Sequence, residues 1–215
     1  MKFSLIRPAS MLAMALGLAS CGGGGDDNYT VTGTVEGLIY PSLVLTNNGT
    51  DITVAPPAKA GEPVTFSFPD KLEYGDTYSV AVKANPPHQT CGVHPSYQLS
   101  AADTAGRLAA INARFVCAIN QYSIGGKITG LTKDNTGLVL ANGSTTGTTA
   151  VVPSTTDTTG AAFDYAMILP VAYGETYGVT IVSQPTGRTC TVANPTGTMG
   201  DAQVTNIDIT CVPNS

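Results

Sequence analysis

The densest cluster of reactive side chains is His88-x-x-Cys91-x-x-His94. Two imidazoles and a thiol at that spacing suit a zinc ion when the thiol is free. These are the only 2 histidines of the chain. The reading weakens because Cys91 has a better use in a disulfide, and a disulfide sulfur is a poor ligand. A second stretch of the chain, aligned below, carries Gly187 and Ala193 where His88 and His94 stand. Two exposed loop histidines are therefore expected. The next candidates are Asp76 and Glu175, each inside a Tyr-Gly-(Asp/Glu)-Thr-Tyr run. Glycoside hydrolysis needs two carboxylates within roughly 5–10 Å of each other, whereas these fall one to a repeat. A tight turn explains them better: glycine supplies the unusual φ and the carboxylate accepts a backbone N–H. No Gly-x-Ser-x-Gly, phosphate loop or dinucleotide fingerprint is present. The expectation is of no catalytic residue, no metal and no cofactor. Tyr40, Tyr97 and Tyr165 remain as aromatics that could stack on a sugar or a peptide.

The elements around these residues come in two copies. Tyr29 to Leu38 matches Tyr122 to Leu131, and Leu43 to Gly49 matches Leu138 to Gly143 with one residue deleted. Tyr74 to Tyr78 matches Tyr173 to Tyr177, and Pro86 to Cys91 matches Pro185 to Cys190. The ends, Arg114 to Cys117 and Asp208 to Cys211, match as well. Tyr122 follows Tyr29 by 93 residues, too long for a solenoid repeat and right for a small domain.

Each copy reads as strands. Tyr29, Val31, Gly33 and Val35 alternate with Thr30, Thr32, Thr34 and Glu36. That is the pattern of a strand with one buried and one wet face. Tyr122, Ile124, Gly126 and Ile128 repeat it in phase. Asn48-Gly49 and Asn142-Gly143 are tight-turn signals. No segment holds a helical period; the best candidate, Ala101 to Ala113, is interrupted by Gly106. About seven short strands per copy predict an immunoglobulin-like β-sandwich. The antibody pattern is not complete, because Trp is absent and the cysteines sit near the end of each copy. They are expected to tie the penultimate strand to the last. The Thr-rich stretch Ser144 to Thr159 predicts a long solvated hairpin or loop.

The chain begins with a basic segment holding Lys2 and Arg7, a short apolar run from Met11 to Leu18, and Ala19-Ser20-Cys21. This is the form of a cleavable export signal. The apolar run is far shorter than the about 20 residues of a membrane span. Outside the cytoplasm cysteines pair, yet there are 5 of them. Since each copy carries its own two, the repeat predicts Cys91 with Cys117 and Cys190 with Cys211. The odd residue is Cys21, and Leu18-Ala19-Ser20-Cys21 resembles the lipobox of bacterial lipoproteins. The resemblance implies diacylation of Cys21, cleavage before it and acylation of the new amine. Gly22 after the cysteine resembles lipoproteins sent on to the outer membrane.

The Tyr-x-Val-x-Gly-x-Val-x-Gly-Leu opening, Gly137 to Gly143 and Pro185 to Asn194 resemble tandem repeats of bacterial surface lipoproteins. That resemblance covers nearly all of the mature chain. It implies an immunoglobulin-like module and no activity. The organisation expected is thus a signal peptide over 1–20, a lipidated Gly-rich tether over 21–28, and all-β sandwiches over 29–120 and 121–215. Of the 10 basic residues, removal of Lys2 and Arg7 leaves 8 against 15 acidic ones, a side-chain charge of −7. Nucleic acid, which wants clustered Lys and Arg, is excluded. The expected protein is a non-catalytic structural or interaction module of the cell envelope, held by lipid to the outer membrane, with a protein or glycan partner. The competing expectation is a carbohydrate- or peptide-binding lipoprotein.

Overall fold

The computed structural model describes residues 28–143 and 147–215. The signal segment, the lipobox with Cys21, residues 22–27 of the tether, and residues 144–146 at the start of the Thr-rich stretch lie outside the described residues.

The first copy holds β1 (Tyr29–Glu36), β2 (Leu43–Asn47), β3 (Thr50–Val54), β4 (Val64–Leu72), β5 (Thr77–Ala84), β6 (Gln89–Val93), β7 (Ala102–Thr104) and β8 (Ile111–Ile119). Two four-stranded sheets result, in the orders β4-β1-β8-β6 and β3-β2-β5-β7. β1 runs antiparallel to β4 and parallel to β8. The expected alternation holds, with Val31, Gly33 and Val35 buried and the threonines between them half-exposed. Val31, Val35 and Phe115 of one sheet meet Leu43, Leu45, Tyr78 and Val80 of the other in one core. Phe66 packs edge-on against Phe68 at 5.9 Å and against Phe115 at 6.1 Å. Gly33 makes room for that cluster: a Cβ there would lie 2.2 Å from both the Phe66 ring and the Ala113 carbonyl oxygen. Asn48 (φ 49°) and Gly49 (φ 95°) form the two-residue turn between β2 and β3 that their sequence signals.

The second copy repeats the plan. Its strands are β9 (Gln121–Tyr122), β10 (Gly125–Thr129), β11 (Val139–Asn142), β12 (Thr148–Ala150), β13 (Phe163–Ala166), β14 (Val171–Ala172), β15 (Thr176–Ser183), β16 (Arg188–Val192), β17 (Thr196–Thr198) and β18 (Ile209–Pro213). The sheets run β13-β10-β18-β16 and β12-β11-β15-β17, and β14 pairs with β9. Ile124, Ile128, Leu138, Leu140, Val179, Ile207 and Ile209 fill the core. The fold is all-β, with one disulfide in each half of the chain.

Several details differ from the expectations. Each copy supplies eight strands to its two main sheets rather than seven. The first, fourth, sixth and eighth share one sheet, unlike the ABED and CFG division of an antibody constant domain. The cysteines do not join the penultimate strand to the last. Cys91 and Cys117 are cross-strand neighbours on β6 and β8, and Cys190 and Cys211 on β16 and β18, because the intervening short strand crosses to the other sheet. The first strand of copy two is not continuous: β9 and β10 are separated by a single bridge, Ile124 to Val204. Gly125 and Gly126 let neighbouring backbone close in there, since a Cβ would lie 2.1 Å from the Tyr165 carbonyl oxygen and 2.3 Å from that of Ile207 respectively. The candidate helix over Ala101 to Ala113 is instead β7, a loop and the start of β8. The helical turn is a 3₁₀ segment, Pro95–Ala101, capped by His94 Nδ1, which accepts the Ser96 N–H at 3.2 Å. The Thr-rich stretch makes the edge strand β12 and then a loop that buries Val151 and Pro153.

Candidate functional site

Asp76 and Glu175 sit in matching turns. Gly75 (φ 95°) donates its N–H to the Ala105 carbonyl at 3.1 Å, and Gly174 (φ 81°) donates to Met199 at 2.9 Å. Asp76 Oδ2 accepts the Glu73 N–H at 2.9 Å, which is the turn role expected of it. Each copy also buries an asparagine that sequence reading missed. Asn47 Oδ1 accepts the Ser79 N–H at 3.0 Å, and Asn142 Oδ1 accepts that of Gly178 at 2.8 Å. Both clamp the second strand onto the fifth. The signal was available, as asparagine at the end of the Leu-x-Leu-x-Asn run recurs in both copies.

The two histidines part company. Cys91 is bonded to Cys117, and the rings on either side of it turn to different partners. Neither histidine is a free loop residue; both are half-buried. His88 occupies the seam between the copies. Its backbone is left-handed (φ 61°) at the turn position where copy two has Gly187 (φ 70°). A non-glycine residue there carries a conformational cost, and contacts across the seam offset it. The His88 ring lies flat on Tyr173, 3.6 Å between centroids and 5° between planes. Nδ1 is 2.8 Å from Asp201 Oδ1. Tyr40 closes the group edge-on, 5.0 Å from His88 and 6.3 Å from Tyr173.

The seam is also tied through backbone. Asn120, the only residue between β8 and β9, donates its N–H to His88 and accepts that of Tyr173, both at 2.9 Å. Its side-chain oxygen accepts the Thr90 hydroxyl at 2.8 Å. Gln89 holds the loop that carries Tyr40. Its buried amide oxygen accepts the Ile39 and Tyr40 N–H groups at 2.8 and 3.0 Å, and its Nε2 donates to Gly37 at 2.7 Å. No sequence signal marks Gln89 or Asp201, because their partners lie across the fold.

His94 belongs to a second group, on the outer face of the β1-β8-β6 sheet. Its Nε2 is 3.9 Å from Glu36, the Arg114 guanidinium is 3.6 Å from the same carboxylate, and Arg114 lies 4.8 Å from the centre of the Tyr97 ring. This accounts for the three tyrosines proposed as ligand platforms. Tyr40 is taken into the seam. Tyr165 donates its hydroxyl to the Ile207 carbonyl at 2.8 Å, and burial, with Asp208 adding to it, pushes its phenol up to about 12. Tyr97 alone is exposed, on the 3₁₀ segment, beside a cation. Among the described residues no group of three or more His, Cys, Asp or Glu gathers as metal ligands would. No protein-family model matches the chain, and no curated protein matches it.

Proposed function

We propose that the chain is a lipid-anchored lipoprotein of the bacterial envelope, without catalytic activity, whose two sandwiches form a stiff spacer or interaction module. The observation that carries the spacer reading is the seam. A strained histidine, a stacked tyrosine, a hydrogen-bonded aspartate and a one-residue connection limit how the copies swing. Unconstrained neighbours need none of these. The anchor rests on the Leu18-to-Cys21 junction and on Cys21 being the one cysteine without a partner in either copy.

Three measurements test this reading. Cys21→Ser should release the protein from membranes, and retention after a carbonate wash sinks the anchor. A density gradient separating the two bacterial membranes tests the outer-membrane assignment. For the spacer, residual dipolar couplings of the two copies should fit one alignment tensor in the wild-type protein and two in a His88→Gly, Tyr173→Ala variant. Independent tensors in the wild type would remove the stiffness on which the proposal depends.

The second reading, a glycan- or peptide-binding lipoprotein, is favoured by one group only, Tyr97 with Arg114, His94 and Glu36. Tyr97→Ala with Arg114→Ala should abolish binding on that reading and leave a spacer's phenotype intact.

A further inference from the structure

Tyr173 and Tyr74 occupy the same place in their copies, in the turn that closes the pole where each sandwich begins. In copy two that pole is covered by copy one: Tyr173 lies under His88, and Asp201 receives its imidazole. In copy one the same pole is bare, and Tyr74 is 76% exposed. The matching hydrogen bonds of Gly75 to Ala105 and Gly174 to Met199 align the two loops. Gly106 then stands for Gly200, Arg107 for Asp201 and Leu108 for Ala202. The bare pole keeps its tyrosine, but an arginine replaces the carboxylate that meets His88, and a leucine, 58% exposed, replaces an alanine.

We infer that this pole of copy one, formed by Tyr74, Arg107 and Leu108, docks on the headgroup layer of the lipid bilayer to which the chain is anchored. The inference rests on the lipoprotein reading for the anchor and adds a specific contact surface. Three observations select the bilayer. First, the chain enters at this pole. Asn28 and Tyr29 line the same concavity as Arg107 and Leu108, and the Tyr29 hydroxyl and the Tyr74 ring both lie over Gly106. Cys21 is seven residues before Asn28, a span of at most about 25 Å at full extension. Lipid on Cys21 therefore holds the pole beside the membrane at high effective concentration.

Second, the exposed side chains suit a water–lipid boundary. Tyrosine rings sit at the headgroup level, and arginine extends its charge outward along an apolar stem. Leu108 continues into a groove with Tyr97 and Leu99, the latter 87% exposed. The charged groups of the pole are of both signs: Lys71, Glu73, Asp76, Asp103 and Arg107. Four of them have partners there, as Lys71 bonds Thr30, Asp76 accepts the Glu73 N–H and Arg107 pairs with Asp103. Apolar insertion rather than attraction to anionic lipid should dominate.

Third, a second copy of the chain is a poor occupant. The far pole of copy two, which would have to play the part of copy one, carries Gly187, Arg188 and Lys133 where the clasp has His88, Gln89 and Tyr40.

The chain has no tryptophan, so single reporters can be placed at will on exposed positions. Tyr74→Trp, Leu108→Trp and, at the far end of β18, Val212→Trp are prepared in the membrane-extracted protein. A parallel set, exported behind a signal peptide without the lipobox so that Cys21 keeps a free thiol, is coupled there to a maleimide phospholipid. Each is reconstituted in phosphatidylethanolamine-rich vesicles with brominated acyl chains. The inference expects blue-shifted, strongly quenched emission at 74 and 108, none at 212, and little change on adding salt. Unquenched emission at 74 and 108 in fully vesicle-bound protein overturns the docking while leaving the anchor intact. A blue shift at 74 that grows with protein concentration without lipid also overturns it, in favour of copy–copy contact. If the extracted protein lacks lipid by mass, the anchor reading fails, and the coupled set still decides the docking.

Discussion

Copy one and copy two use the same strand plan and the same turn hydrogen bonds, but they fill and finish them differently. Copy one packs Phe66, Phe68 and Phe115 against each other in its core. Copy two buries Ile, Leu, Val and Met, with Phe163 only partly covered. Copy one also carries the longer disulfide segment, 26 residues against 21, and uses the difference for the 3₁₀ segment with its exposed Leu99 and for the loop that carries Leu108. The repeat fixes backbone pairing, where a missing hydrogen bond or a clash is expensive. Side chains that face outward from the poles are free to diverge, and there one copy clasps its neighbour while the other stays bare.

The largest test of this comparison is removal of the disulfides. On the chain-entropy estimate each contributes about 3–3.5 kcal/mol. Cys190→Ala with Cys211→Ala should unfold copy two at low urea, ahead of the same change at Cys91 and Cys117 in copy one, where the aromatic cluster remains. Equal shifts in the two urea midpoints would show that the phenylalanines give copy one no advantage.

Gln89→Leu comes next. It strands the Ile39 and Tyr40 N–H groups and the Gly37 carbonyl, at a cost of about 1–3 kcal/mol. Arg188→Leu, the equivalent change in copy two, should move stability by no more than about 0.5 kcal/mol. Calorimetry of the two variants separates a clasp residue from its repeat partner.

His88→Gly should have a smaller effect, within about 1 kcal/mol, because relief of the left-handed strain offsets the lost contacts. Its signature is rotational: the two copies should tumble more independently by NMR relaxation. A large drop in the melting temperature of copy one would mean that His88 supports its own sandwich.

The smallest effect lies in the tyrosines. Burial raises the phenol of Tyr78 in copy one, with Asp103 adding to it, and that of Tyr165 in copy two to about 12. A raised phenol favours the neutral form in the folded state. The stability it contributes is complete below the ordinary tyrosine value near 10 and is lost as pH climbs through about 12. Ultraviolet titration should show a tyrosine ionising last near pH 12, and Tyr165→Phe should remove that step. If the step survives in Tyr165→Phe, the late tyrosine lies elsewhere, with Tyr78 the next to test.

The turn role of the Asp76 carboxylate is readable because turn chemistry depends on residues next to each other. Alternation in Tyr29 to Glu36 was readable for the same reason. The break in the matching strand of copy two was not, since Gly125 and Gly126 matter only through the carbonyls of Tyr165 and Ile207 that approach them. His88 shows the limit most clearly. By sequence it is a dispensable loop residue, because copy two has glycine there and the fold of one domain does not need the ring. Its partners lie in the seam, which exists only once.

The sequence by itself determined the all-β class, the two copies, the alternation of the first strand and the pairing of cysteines within each copy. These follow from period, spacing and internal repetition, all local or self-referential properties. Only the tertiary structure decided that β1 runs parallel to β8, that the disulfides bridge strands within one sheet, and that His88, Tyr173 and Asp201 meet. Those outcomes depend on which distant strands lie side by side. In a two-domain chain they depend also on how the end of one sandwich turns its side chains toward the next.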